Sequence, residues 1–140
     1  MGEDYLYMPQ KGEDLGERMR NGFIQTFAEG FKRVILIGSD IPGLPLEFIE
    51  EAFTSLRDKD AVIGPSLDGG YYLIGFRNKT FSPKVFEGIP WSTEKVFEET
   101  MKVLEKERLT VHTLPRWRDI DTIEDLKNLP GRSTNSKPDG

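Results

Sequence analysis

Residues 34–37 read Val-Ile-Leu-Ile and run straight into Gly38-Ser39-Asp40-Ile41-Pro42. Four consecutive apolar residues, three of them β-branched, leave no polar face for water. Such a run fits a strand covered on both sides, as in a parallel sheet with helices packed on each face. The chain therefore needs further strands to extend that sheet and helices to cover it.

The remaining periodicity supplies them. Leu15, Met19, Phe23, Phe27 and Phe31 recur every four residues. They predict an amphipathic helix over 15–29, with Asp14 as a cap and Gly30 as a stop. Pro45 suits a helix start, and Phe48, Ile49, Ala52, Phe53 and Leu56 give the next helix its buried stripe. Short strands are expected over 60–63, 71–76 and 109–114. A third helix is expected over 93–106, with Ser92 as its cap, Glu94 in its first turn and Val96, Phe97, Met101 and Leu104 inward. Thr122 with Asp125 resembles a capping box for a last short helix. The order is helix, strand, helix, strand, strand, helix, strand, helix, which predicts an α/β domain with a mainly parallel sheet. On this reading the chain opens with a loop and a helix. The residues at 130–140, GRSTNSKPDG and the proline before them, carry no core formers and predict a disordered tail.

Composition narrows the function. A formal net charge of -5 disfavours non-specific nucleic-acid binding, which needs a cationic face. With no cysteine and one histidine, disulfides, thiol nucleophiles and the usual zinc sites are disfavoured. No apolar run approaches the roughly 20 residues of a membrane span. The N-terminal residues MGEDYLYMPQKGEDLG have no signal-peptide pattern, so a cytoplasmic location is expected.

Four stretches combine residues that can do chemistry, and each also has a purely structural reading. Ligands of open α/β sheets bind beyond the carboxyl ends of strands. Asp40 follows such an end. It either caps the turn before Pro42 or binds a hard cation such as Mg²⁺ or Mn²⁺, with Ser39 orienting it or finishing the strand. The loop Gly64-Pro65-Ser66-Leu67-Asp68-Gly69-Gly70 is either a plain hairpin turn or a ligand loop. In the second case Asp68 would bind a hydroxyl. Tyr71 and Tyr72 alternate faces, so at most one of them faces a pocket. In Arg116-Trp117-Arg118-Asp119-Ile120-Asp121-Thr122, one carboxylate could join Asp40 at a metal, or both could cap. Trp91, in Ile89-Pro90-Trp91-Ser92-Thr93, either walls a pocket or covers the core edge. His112, inside an expected strand, reads as structural.

The order of these segments is more specific than any one of them. The series runs from Gln10 and Gly12-Glu13-Asp14-Leu15-Gly16-Glu17-Arg18-Met19 through Ile37-Gly38-Ser39-Asp40-Ile41-Pro42. It continues with Gly64-Pro65-Ser66-Leu67-Asp68-Gly69-Gly70-Tyr71-Tyr72-Leu73-Ile74-Gly75 and Ile89-Pro90-Trp91-Ser92-Thr93. It closes with Asp119-Ile120-Asp121-Thr122 and Glu124-Asp125-Leu126. This series resembles the DUF2064 family, also described as radical-SAM/selenodomain-associated transferases and similar to GT-A-type nucleotide-diphospho-sugar transferases.

The resemblance implies a three-layer α/β/α Rossmann-like sandwich over 1–129, with a divalent metal (Mg or Mn) and a nucleotide or nucleotide-sugar as ligands. It implies Asp40 and Asp121 as metal ligands, with Asp119 a lesser candidate. It puts Asp68, Gly69 and Gly70 on the sugar or acceptor side, with Asp68 as candidate catalytic carboxylate. Asp14, Leu15 and Gly16 would lie near the nucleotide, Ser39 would be a further substrate-binding residue, and Trp91 would lie at the pocket rim. The family's opening strand and its Pro-Gly-x-x-Lys-Thr-Arg phosphate loop have no counterpart here. The expectation is an N-terminally truncated domain with an exposed sheet edge. Unpaired edges attract other chains, so a homo-oligomer is expected.

Three functions follow from this reading. The first is a metal-dependent glycosyltransferase. The second is a nucleotidyltransferase making a nucleoside-diphosphate compound. The third is a non-catalytic remnant that acts through oligomerisation.

Overall fold

The computed structural model describes residues 2–8, 15–38, 44–91 and 93–116. Five strands form one sheet: β1 (Glu3–Met8), β2 (Arg33–Gly38), β3 (Ala61–Pro65), β4 (Tyr71–Arg77) and β5 (Val111–Thr113). Their spatial order is β1-β2-β4-β3-β5. β1 pairs with β2 in parallel, from Glu3 opposite Arg33 to Met8 opposite Gly38. β4 runs antiparallel to both β2 and β3, and β5 pairs in parallel with β3. Four strands thus share one direction and β4 opposes them, so the sheet is mostly parallel as expected.

Helices α1 (Leu15–Ala28), α2 (Leu46–Ser55) and α3 (Val96–Lys106) cover the sheet, together with a 3₁₀ turn at Pro83–Phe86. The expected run Val34 to Ile37 is fully buried between two cores. Val34 and Leu36 face a core built with α1, the 3₁₀ turn and α3, where Met19, Phe23, Phe76 and Phe86 also sit. Ile35 and Ile37 face a second core with Phe48, Ile49, Ala52 and Leu56 of α2 and its C-terminal end. Period-two alternation therefore divides one strand between two hydrophobic layers.

The first core is dominated by phenylalanine. The Phe23 ring lies 5.2 Å from Phe76, 5.1 Å from Phe81 and 5.9 Å from Phe86. Edge-to-face and offset contacts at these separations add to the area buried. Phe81 and Phe86 come from the segment after β4, where the sequence shows no periodicity. That segment is held instead by a turn: Thr80 Oγ donates to the Asp60 carbonyl at 2.8 Å, and the Phe81 N–H to the Arg77 carbonyl at 3.0 Å.

Three expectations change. The chain opens with strand β1, not with a loop. Its residues do not form an apolar run because they sit at the sheet edge: Tyr5 and Tyr7 are exposed, and among the described side chains of β1 only Leu6 packs against the first core. α3 begins at Val96, three residues later than expected. The intervening turn is closed by Thr93, whose hydroxyl donates to the Pro90 carbonyl and accepts from the Lys95 N–H. β5 covers only Val111–Thr113 of the expected 109–114. Ser92 as a cap, the helix after Thr122 and the tail at 130–140 lie outside the described residues.

Candidate functional site

Because β1, β2, β3 and β5 share a direction, their carboxyl ends open on one edge of the sheet. At this edge β2 ends at Gly38, β3 passes into the loop 66–70, and β5 ends at Thr113. Asp14, Ser39, Asp40, Asp119 and Asp121 lie outside the described residues. Among the described residues no three carboxylate or histidine side chains gather as a metal site.

The loop 66–70 is a tight, internally bonded turn. The Ser66 N–H donates to the Gly70 carbonyl at 3.0 Å, and the Gly69 N–H to the Ser66 carbonyl at 3.1 Å. Asp68 Oδ1 accepts from the Ser66 hydroxyl at 2.7 Å and from the Gly70 N–H at 3.1 Å. An Asp side chain that closes its own turn in this way shapes the loop. The structural reading of Asp68 is thus visible in the geometry, while its carboxylate remains at the exposed surface.

Gly69 has two constraints that admit no other residue comfortably. Its φ is +94°, and a Cβ would stand 2.1 Å from the Glu94 carbonyl oxygen. Its own carbonyl accepts the Phe97 N–H at 2.8 Å. That N–H belongs to the first turn of α3, where backbone donors have no partner within the helix. Gly69 thus docks the hairpin tip onto the start of α3. Gly70 meets only ordinary contacts at 3.5 Å or more, so space alone does not demand glycine there.

Beside this junction lies a cavity of about 320 Å³ lined by Ser66, Gly69, Glu94, Phe97, Glu98 and Arg116, among others. Carboxylates, a hydroxyl and a guanidinium around a phenyl ring can hydrogen-bond and stack a polyhydroxylated ligand. In the sequence Glu94 reads as a first-turn acid and Phe97 as an inward residue, and nothing local joins them to Asp68-Gly69-Gly70, twenty-odd residues away. The available signal was positional: both segments lie next to a strand end or helix start at the same edge.

Leu15, Gly16 and Trp91 come together away from that cavity. Leu15 is buried in the first core. A Cβ at Gly16 would come within 2.9 Å of the Trp91 indole, which in turn stacks on Phe86 with ring centres 6.5 Å apart. Gly16 therefore lets α1 approach the tryptophan, and Trp91 covers the core edge.

Tyr71 and Tyr72 do alternate faces, and both are buried. The Tyr71 hydroxyl reaches only Met19 Sδ, at 3.9 Å, while the Tyr72 hydroxyl donates to the Pro115 carbonyl at 2.8 Å. Burial raises the Tyr71 phenol far above its ordinary value of 10.0. Burial first, and the Glu51 carboxylate second, raise that of Tyr72. His112 Nε2 lies 2.8 Å from Glu51 Oε2 and ties β5 to α2. Among the described residues, no helix is long and apolar enough to cross a membrane.

Comparison with known proteins agrees with this architecture. A crystal structure from Desulfovibrio desulfuricans G20, of a protein provisionally named a nucleotide-diphospho-sugar transferase, superposes with a TM-score of 0.73 at 47% identity. The match covers 91% of this chain and 55% of that one, so the chain spans little more than half of its neighbour's length. Among curated proteins none matches. The family model for DUF2064, described as uncharacterized protein conserved in bacteria, matches residues 1–93. With two thirds of its length under that model and the fold of a nucleotide-diphospho-sugar transferase, the chain belongs to the DUF2064 family.

Proposed function

We propose that this chain carries the acceptor half of a metal-dependent glycosyltransferase that uses a nucleotide-diphospho-sugar. The observation that carries the proposal is the hairpin tip 66–70, locked by Gly69 onto the start of α3 beside a cavity with hydroxyl, carboxylate and aromatic lining. The kinship with the neighbouring transferase supports the same reading.

Asp40 and Asp121 would hold the divalent cation. The donor set fits, because carboxylate oxygens are the ligands Mg²⁺ and Mn²⁺ prefer. The cation would supply neutralising charge to the departing diphosphate. The chain's own part is positional. Ser66 and Gly70 hold Asp68 Oδ1 within the turn whose Ser66, Leu67 and Gly69 line the cavity. From there the Asp68 carboxylate orients an acceptor hydroxyl and accepts its proton. Phe97 gives the acceptor an apolar wall, and Glu94 and Glu98 offer oxygens to its hydroxyls.

Calorimetric titration with UDP, GDP and their sugar conjugates, with and without Mn²⁺, tests this function. Metal-dependent binding that disappears in Asp40→Ala is the expected result. No binding under any condition would refute it for this chain. Release of pyrophosphate from a nucleoside triphosphate, in place of a nucleoside diphosphate from a sugar conjugate, would identify nucleotidyl transfer.

A further inference from the structure

Among the described residues β1 is an edge strand, and its outer side is a row of backbone groups. In a parallel ladder each residue points both its N–H and its C=O to one side, and successive residues alternate. The Gly2 carbonyl faces β2, since it accepts from the Lys32 and Arg33 N–H groups. Asp4 and Leu6 therefore also face β2, and Glu3, Tyr5 and Tyr7 present their backbone groups outward. One local bond agrees with this: the Tyr5 N–H is covered by the carboxylate of Asp4 at 2.9 Å.

The side chains of the same residues are uncovered. Tyr5 and Tyr7 stand opposite Ile35 and Ile37, so they belong to the α2 face of the sheet. α2 packs over β2 and β3. Beyond it Tyr5 is 41% and Tyr7 55% exposed, with their rings 5.9 Å apart and edge to face.

We propose that this edge pairs with the same edge of a second copy, antiparallel, around a two-fold axis at Tyr5. The register follows from the chemistry of the strand. With Tyr5 opposite Tyr5 of the partner subunit, Glu3 falls opposite the partner's Tyr7 on both sides. Every outward N–H and C=O of these three residues then meets an outward partner. Six inter-strand hydrogen bonds form once Asp4 releases the Tyr5 N–H. The charge pattern selects this direction. Glu3 and Asp4 occupy one end of the strand, and antiparallel pairing sends each acidic end toward the other copy's tyrosines. A parallel arrangement would set acid beside acid, at a cost. Glu3 keeps its own counter-ion, Arg33 Nε at 3.0 Å.

The two-fold axis leaves both α2 faces on the same side of a continuous ten-stranded sheet. Four tyrosine rings then fill the strip between the two α2 helices and cover one another. The pairing is isologous, and it consumes the edge it uses, so assembly through this edge stops at two copies.

Sedimentation equilibrium and light scattering of the purified chain give the test. Two-chain particles are expected, and Tyr5→Pro is the decisive variant. Its missing N–H faces outward, so the ladder to β2 is untouched while the new interface loses its central pair. Self-association should weaken by at least about 100-fold. A single chain at concentrations up to about 1 mM, the weak end of specific association, overturns the proposal. It would mean that a preceding segment of a longer chain, or a different partner, takes this edge. A dimer unaffected by Tyr5→Pro overturns it as well, because the interface then lies elsewhere. Should Tyr5→Pro lose its circular-dichroism signature, amide exchange of the unaltered protein decides. Protection of the Glu3, Tyr5 and Tyr7 amides must rise with protein concentration, and concentration-independent exchange at all three overturns the proposal.

Discussion

Two strands of this sheet each carry two tyrosines, and the two pairs live in opposite conditions. On β4, Tyr71 and Tyr72 are neighbours, so they point to opposite faces, and both are buried, at 4% and 1% exposure. On β1, Tyr5 and Tyr7 are two residues apart and share one face, and both are exposed. The residue type and the strand geometry are the same. What differs is the place in the sheet. β4 lies between β2 and β3 with a core on each side. β1 lies at the rim of the described sheet, where α1 packs on one face while α2, on the other, packs mainly over β2 and β3 and leaves Tyr5 and Tyr7 exposed. A tyrosine in a strand is thus a poor indicator of burial until the strand's position in the sheet is known.

The contrast can be broken by truncation. Tyr71→Ala and Tyr72→Ala should each cost about 3–5 kcal/mol, the range for deleting a buried ring, read by urea unfolding. A loss below about 1 kcal/mol at either position would mean that the central strand is not sealed on that face.

Alkaline titration separates the same pairs without mutation. The buried phenols of Tyr71 and Tyr72 have raised pKa values. Below pH 10.0 both are neutral in folded and unfolded chain alike, and their contribution to stability is complete. As pH climbs past that value the unfolded chain sheds these protons first, so stability must fall. Thermal unfolding followed at rising pH should show a declining midpoint, with tyrosinate absorbance from both residues appearing together with unfolding. Ionisation of either in the folded protein near pH 10 would contradict the burial.

A smaller difference lies within the buried pair. Tyr72→Phe removes a hydrogen bond to the Pro115 carbonyl and should cost about 1 kcal/mol. Tyr71→Phe gives up only a long contact to sulfur and should cost less than half of that. Equal losses would show that the Pro115 bond carries no weight. Smallest of all, Tyr7→Ala should change the stability of the single chain by no more than about 0.5 kcal/mol, measured at low concentration. A larger loss would place an unrecognised cover over that ring.

How far the sequence could be read follows the same division. The strand at 34–37 was legible because both of its faces are covered, which leaves an uninterrupted apolar run. β1 was not, because an edge strand mixes acids with exposed aromatics. α1 and α2 were legible from their four-residue spacing. The 3₁₀ turn was not, since Phe81 and Phe86 join the core through tertiary contacts and not through any period. At the site, the turn at Asp68-Gly69-Gly70 was visible from its residue types. Its union with Glu94 and Phe97 was not, because nothing local to either segment announces a carbonyl 2.1 Å from where a Cβ would sit. The carboxylates Asp40 and Asp121, read as metal ligands from family resemblance, lie outside the described residues and rest on the titration proposed above.

The one reversed strand also bears on how the chain finds its structure. β3 and β4 are joined by the short loop 66–70, so their pairing closes over few residues at small entropic cost. β1 reaches β2 only after α1, and β3 reaches β5 only after β4, the 3₁₀ turn and α3. Contacts that close long stretches of chain form slowly. The hairpin at Pro65–Tyr71 is therefore the expected nucleus, with β2 adding to the open flank of β4. Substitutions in β4 should slow folding itself, whereas those in β1 should mainly speed unfolding.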